Sequence, residues 1–499
     1  MLKRLLKREP VEFDAGTKGA LRHLAITSLT IVALMVATYS LPIFKRFRPW
    51  IPGEAVPLAR LFNHYDDSIL PAFAEANALA APESGNGLQK SAASDSKNGT
   101  QRAELPAKGR VAPEELDGLT QRIEDPSGVA LDSFYAALLR TARAEPKAIT
   151  RVAHFGDSAV AADSVTYTMR RQLQKRFGDA GHGFVLIAPG DMHYYHLDIA
   201  HRASDSWELF QLVLGSLGTN WYGYGGVQYR GADGASARFA TVGRGEVGKQ
   251  VARYEVFYQR YPGGGPLILK LDNERPQTVN TRSKVQEDAW VVVQTSDGSH
   301  GLSVRATGSD PVRLYGVALE RDVPGVVYDS LGMVGGRAER FLSLDREHIQ
   351  RQISHRNPAL VILAYGGNEA DNSWLDIARY EEKLRLVLNH IRVPGENRAC
   401  LLMAPLDQGE RDGRGEIRTI PKLPEIVEAQ RRVALSEGCA FYDTFSAMGG
   451  KGSMLRWYRK RPRLAMSDFR HATTIGYEVI GEMFYKALLN GYADYIQRQ

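Results

Sequence analysis

The sequence predicts a three-layer α/β domain with a flavodoxin-like strand order, interrupted by a β-sandwich of jelly-roll type and preceded by one transmembrane helix. Three observations carry this. Apolar runs at 151–155, 326–329, 359–364, 400–404 and 440–442 alternate with helical patterns at 165–177, 380–391 and 423–435, as in a parallel sheet covered on both faces. Between the first two of those strands the pattern changes to short β runs. Residues 24–44 carry no charge at all.

From the amino terminus, residues 1–23 read as a cytoplasmic tail holding Lys3, Arg4, Lys7, Arg8, Lys18 and Arg22. The uncharged 24–44 stretch matches a helix crossing a hydrocarbon core of roughly 30 Å. It exceeds the roughly 7–15 apolar residues of a cleavable signal, so it is expected to stay as a signal anchor, with the larger basic cluster inside. Lys45, Arg46, Arg48 and Arg60 follow it. The net charge of +6 arises entirely within residues 1–60, and the rest of the 499-residue chain is neutral. The excess therefore belongs to a membrane flank, and no nucleic-acid partner is expected.

Residues 45–112 form a membrane-proximal segment and linker. From 82 to 113 the chain is rich in Ser, Gly, Ala, Asn and Lys and has too few apolar side chains to fold alone. As a tether of about 30 residues it reaches roughly 30 Å. The α/β domain then occupies 113–203 and 323–499. Its first helix, at 130–144, repeats Leu131, Phe134, Tyr135, Leu138 and Leu139 at helical spacing. The inserted β-rich domain spans 204–322, with runs at 237–242, 253–261, 266–272, 290–295, 302–306 and 312–319 separated by turn residues. With 43% hydrophobic residues, the chain can bury at least two cores.

Three separated stretches carry the chemistry: Gly156-Asp157-Ser158, Gly366-Gly367-Asn368 and Asp468-Phe469-Arg470-His471. Each alone is an ordinary turn sequence. Their contexts make the set specific, because the first leaves a strand, the second ends a strand and the third precedes the last helical pattern, near 474–496. A serine hydroxyl needs a neighbouring base, for which His471 is the candidate. That base needs a carboxylate on its other ring nitrogen, for which Asp468 is the candidate. The oxyanion of an acyl-transfer intermediate needs donors, which the Asn368 amide and backbone N–H groups such as those of Gly335 and Ser158 supply.

These blocks resemble the SGNH hydrolases, the GDSL-type esterase family. Ser158 fits the nucleophile block, Gly366-x-Asn368 the asparagine block and Asp468-x-x-His471 the block that carries acid and base. The glycine block falls in 329–336, where Gly335 is preferred and Gly332 and Gly336 stay open. Ala159 stands where the family often has leucine. The interruption between Ser158 and Gly335 resembles that of bacterial peptidoglycan O-acetylesterases, whose inserted module is similar to carbohydrate-binding jelly rolls. The resemblance implies a serine esterase that removes O-acyl groups, chiefly O-acetyl, from peptidoglycan or an exported polysaccharide. It implies no cofactor and a periplasmic or external catalytic domain held at the inner membrane. The same residues would serve an O-acetyltransferase, and a vestigial sugar-binding scaffold is the third reading.

Remaining features are weaker. Asp191, His193, His196, Asp198 and His201 crowd together but lack a second group with zinc-type spacing, so they read as a loop beside the active site and no metal is expected. Trp221, Tyr222 and Tyr224 sit among glycines and are candidates for stacking on sugar rings, although aromatic residues opening a β domain more often fill its core. Cys400 and Cys439 each begin a predicted strand; a disulfide and two small buried side chains are both open.

Overall fold

The structure, a computed structural model, describes residues 107–499 apart from Met192, Ser216, Leu217, Thr219 and Arg244. The tail expected at 1–23, the anchor at 24–44 and all but the end of the 45–112 segment lie outside the described residues. Among the described residues no helix is long and apolar enough to cross a membrane.

Helix α1 (Asp132–Ala142) precedes strand β1 (Ile149–Gly156), which runs into the short helix α2 (Ser158–Ala161) and then α3 (Ser164–Phe177). A long β region follows: β2 (Gly181–Leu186), β3 (Ile199–Ala203), β4 (Glu208–Gln211), β5 (Val227–Gly231), β6 (Ser236–Thr241), β7 (Val251–Arg260), β8 (Pro266–Leu271), β9 (Gln277–Asn280), β10 (Glu287–Gly298), β11 (Gly301–Ala306) and β12 (Val312–Glu320). The chain then returns through β13 (Gly325–Gly332), α4 (Arg346–Arg356), β14 (Leu360–Ala364), α5 (Ile377–Ile391) and β15 (Ala399–Met403). It closes with β16 (Gly409–Arg411), β17 (Ile417–Thr419), α6 (Lys422–Ser436), β18 (Ala440–Tyr442), α7 (Thr444–Ala447), α8 (Ser453–Arg459) and α9 (Thr474–Arg498).

The five parallel strands lie in the order β13-β1-β14-β15-β18. In chain order this is 2-1-3-4-5, the flavodoxin-like arrangement, whose switch point falls between β1 and β14. Alternate residues of β1 feed two cores. Val152 packs with Phe134, Met169 and Phe484 of α1, α3 and α9 on one face, while Ala153 and Phe155 join Ile353, Val387 and Val433 of α4, α5 and α6 on the other. This alternation is the strand's period of two, and it makes the domain three-layered. Burying Phe155 alone contributes roughly 1.5–3 kcal/mol.

The β region builds two antiparallel sheets, β10-β7-β12-β5-β4 with β2 added on β12, and β3-β6-β11-β8-β9. Pairing therefore begins at Gly181, ahead of residue 204 where the insert was expected to start. The sheets share one core through Phe239, Leu269, Val304 and Tyr254. The first sheet also docks on α4, where Trp290 stacks on His355 with ring centroids 3.8 Å apart and Phe257 meets the same ring edge-on at 5.6 Å.

Helix α4 was not expected, because its buried face mixes Ile349 and Ile353 with polar side chains. His348, Gln352 and Arg356 are buried. Asp288 of β10 accepts from Gln352 Nε2 (2.8 Å) and lies 2.9 Å from His348 Nδ1. Arg356 donates twice to Asp329, at 2.8 Å each, and pairs with Glu320. Burial alone would raise the Glu320 carboxyl, but Arg356, Arg151 and Arg253 hold it below the usual carboxylate range. Such a buried network costs desolvation unless every partner is present, and here it joins insert to sheet.

Cys400 and Cys439 are bonded, with Cα atoms 4.9 Å apart, and tie the starts of the neighbouring strands β15 and β18.

Candidate active site

At the switch point two chain turns face each other. Strand β1 ends at Gly156, and Asp157 caps α2 by accepting the Ala159 N–H at 3.1 Å. Ser158 is thus the first residue of α2. The end of β13 presses against this helix at Gly332, where a Cβ would lie 2.0 Å from the Ala161 nitrogen. Only glycine permits that approach.

Strand β14 delivers Gly366 at φ +122°, a conformation that favours glycine and turns the chain so that Asn368 faces Ser158's cavity. The turn is held from inside by Glu369, which accepts the Gly366 N–H (3.1 Å) and the Ala338 N–H (2.9 Å). Glu369 is only 4% exposed, and burial pushes its carboxyl up to about 7. The Asn368 amide donates one N–H to the Gly336 carbonyl at 2.8 Å.

The third turn sits between α8 and α9. Met466 N–H donates to the His471 carbonyl, and Phe469 N–H to the Met466 carbonyl, closing a tight loop. Phe469 adopts φ +58° yet is buried, its ring 4.9 Å from that of Tyr458. A non-glycine residue in the left-handed region stores strain, which the aromatic anchor offsets. The loop presents Asp468 and His471 on one side.

These turns bring the side chains together. Ser158 Oγ lies 3.1 Å from His471 Nε2, and His471 Nδ1 lies 2.7 Å from Asp468 Oδ2. The Asp468 carboxylate also accepts the N–H groups of Arg470 (2.9 Å) and His471 (3.1 Å). Partial burial would raise this carboxyl, but the His471 ring and the two N–H groups bring it below its usual range. It therefore stays ionised and fixes the His471 tautomer with Nδ1 protonated, leaving Nε2 to accept from the serine hydroxyl.

The cavity in front of Ser158 measures about 130 Å³. Asn368, His471, Gln408, Asp371 and Arg470 give it a polar side, while Val165, Met403, Leu406, Tyr477 and Ile480 give it an apolar floor. Arg470 donates to Asp371 at 2.6 Å and to Gln408 at 3.3 Å, bracing the loop that carries His471. Burial pushes the Asp157 carboxyl up to about 6, and it drives the neighbouring His154 imidazole down to about 3, so His154 stays neutral and bonds Tyr328 Oη at 2.8 Å.

Gly335 is different. It has φ +71° and does not line the cavity, and its N–H has no acceptor among the described residues, whereas the Gly336 N–H is taken by the Met333 carbonyl.

Two of the three aromatic candidates for sugar stacking, Tyr222 and Tyr224, are out of reach of a ligand. Tyr222 and Tyr224 are fully buried, and Tyr224 donates to Asp329 at 3.2 Å. Trp221 is half-buried, stacked on His348 at 4.6 Å and covered by Arg351 at 5.1 Å. They fill the seam between insert and α4 because the polar helix face needs large partners there.

The loop at 191–201 lies against the helix that Ser158 begins, with Tyr195 N–H donating to the Ala161 carbonyl. Asp163, His196 and Asp198 converge, but Arg170 sits among them, donating to Asp163 (2.7 and 3.2 Å) and to Asp198 (3.0 and 3.1 Å). The guanidinium supplies the positive charge these carboxylates face. His201 instead bonds the Ile187 carbonyl at 3.0 Å.

Sequence reasoning passed over Glu369, Asp371, Gln408 and Arg470. Glu369 and Arg470 adjoin the quoted motifs, which was a usable signal; Asp371 and Gln408 carried none.

No family model and no curated protein sequence matches this chain. A solved structure of a peptidoglycan O-acetylesterase is similar in fold, with a TM-score of 0.62 at 23% identity over 74% of this chain and 99% of that one. A family two carbohydrate esterase from Clostridium thermocellum (TM-score 0.25, 9% identity, 58% of this chain and 98% of that one) and an acetyl xylan esterase (0.24, 17%, 33% and 80%) are too distant in overall shape to weigh in the argument.

Proposed function

We propose that this chain, with the SGNH-type fold it shares with the peptidoglycan O-acetylesterase structure, is a serine esterase that removes O-acetyl groups from a cell-wall or exported polysaccharide. The observation that carries this is the continuous chain Ser158–His471–Asp468 opening on a cavity that Asn368 lines. In the reaction, His471 Nε2 takes the proton of Ser158 as Oγ attacks the acyl carbon. The second N–H of Asn368 and the free N–H groups of Ser158 and Gly335 are the candidate donors to the oxyanion, Gly335 after a rearrangement of its turn. His471 then returns the proton to the departing sugar oxygen, and water repeats the sequence on the acyl-enzyme.

The His471 side chain is 43% exposed and open to water and to a sugar hydroxyl alike; hydrolysis is preferred on the likeness to the O-acetylesterase structure. Acetate release from O-acetylated peptidoglycan, with sugar acceptors present and absent, tests both points. Unchanged acetate yield supports hydrolysis; acetate lost in favour of acetylated acceptor supports the transferase reading.

We further propose that residues 24–44 anchor the protein, with the catalytic domain outside the cytoplasm. The Cys400–Cys439 bond supports an oxidising compartment. Protease added to spheroplasts should digest the chain beyond residue 50, and recovery of intact chain in the soluble fraction would overturn the anchor. The two-sheet insert keeps its jelly-roll reading as part of this proposal, supported by its antiparallel pairing.

A further inference from the structure

The loop that carries Asn368 borders two cavities. Asn368 and Asp371 line the one in front of Ser158, and Glu369 and Asn372 line a second of about 300 Å³. The second is completed by Arg337, Trp374, Arg379 and Lys383. That size is at the lower end of ordinary ligand sites.

Its chemistry is uneven. Trp374 is 92% exposed, with its ring at the cavity rim. A single exposed apolar residue is unremarked on most surfaces, but this one stands beside two arginines whose guanidinium groups make no hydrogen bond or ion pair among the described residues, Arg337 being only loosely attracted by Glu369 and Glu339. The other charges are spoken for. Lys383 pairs with Glu339, Asp376 caps α5 by accepting the Arg379 N–H at 3.2 Å, and Glu369 is committed to two backbone N–H groups. Burial also keeps Glu369 largely protonated below about pH 7, so it opposes an anion weakly. What remains available is a flat aromatic face and two forked donors that match a carboxylate.

We propose that this second cavity is a subsite for a carboxylate-bearing sugar residue of the polymer, stacked on Trp374 and held by Arg337 and Arg379, outside the cavity that takes the ester. The inference rests on the esterase reading only for the identity of the polymer. It would make the protein selective for acidic glycans, with charge read outside the cavity that takes the ester.

Binding, without turnover, tests it. Full-length protein is titrated calorimetrically with peptidoglycan glycan strands freed of stem peptides and O-acetyl groups, and with the same strands after reduction of their carboxylates to alcohols. The native strands should bind about tenfold tighter than the reduced ones. Arg379→Ala and Arg337→Ala should each weaken native strands about tenfold and leave reduced strands nearly unaffected, Arg379→Lys should recover part of the loss, and Trp374→Ala should weaken both ligands. Thermal melts check that each variant is folded. Equal affinity of wild type for the two ligands, or equal loss on both with the arginine variants, overturns the subsite. Because no ester is cleaved, a failure here leaves the Ser158 reading intact, and failure of that reading appears only in turnover.

Discussion

Ser158 Oγ and His471 Nε2 stand 3.1 Å apart although 313 residues separate them in sequence. Ser158→Ala and His471→Ala should each lower turnover of an aryl acetate by roughly 10⁴-fold or more, because members of such a unit fail together. Asp468→Asn should cost less, about 10²- to 10⁴-fold, since it disturbs tautomer and charge but leaves nucleophile and base in place. A folded Ser158→Ala protein with near-normal turnover would sink the nucleophile assignment.

Asn368 links the nucleophile cavity to the segment at 336. Asn368→Ala should lower kcat by roughly 100- to 1000-fold if its second N–H meets the oxyanion. Steady-state kinetics decide this, with the melting temperature as a control for loss of the bond to Gly336. A change confined to KM contradicts the role.

Glu369 makes a pH-dependent contribution whose sign can be worked out. Burial raises its carboxyl from 4.5 to about 7, so the folded state holds the proton more tightly than the unfolded chain. Its stabilising contribution is complete below about pH 4.5 and is lost as pH rises through about 7, amounting to about 3 kcal/mol over the window. The stability of wild type relative to Glu369→Gln should therefore fall between pH 4.5 and 7 and level off above. A pH-independent difference in denaturant unfolding between the two proteins would refute this.

The Cys400–Cys439 bond closes a separation of 39 residues. Loop-closure entropy assigns it roughly 4 kcal/mol, as an upper figure. Cys400→Ser with Cys439→Ser should shift the denaturant midpoint down by a corresponding amount and make it insensitive to dithiothreitol, while wild type responds. Identical midpoints for wild type with and without reductant would show that the bond contributes nothing.

The five sheet strands, the helices α3, α5, α6 and α9, and the residues Ser158, Asn368, Asp468 and His471 were all legible in sequence, because each rests on local information. An apolar strand shows its period within a few residues, and a turn that must carry an acid and a base three residues apart shows both at once. Helix α4 escaped because only Ile349 and Ile353 of its buried positions are apolar, while His348, Gln352 and Arg356 are buried through partners that include acids from β10, β12 and β13. The same distance effect decided Tyr222 and Tyr224, for which core filling was the commoner reading but which only the docking of the insert on α4 buries. It decided the cysteines too, since only the parallel pairing of β15 with β18 sets their Cα atoms within bonding reach. Sequence alone thus determined the sheet strands, most of the helices around them and the side chains that are candidates for ester chemistry. Tertiary structure decided which of them meet, because burial, a shifted carboxyl such as that of Glu369 and an ion pair such as Arg470–Asp371 depend on groups about 30 to 100 residues away in sequence, beyond any local pattern.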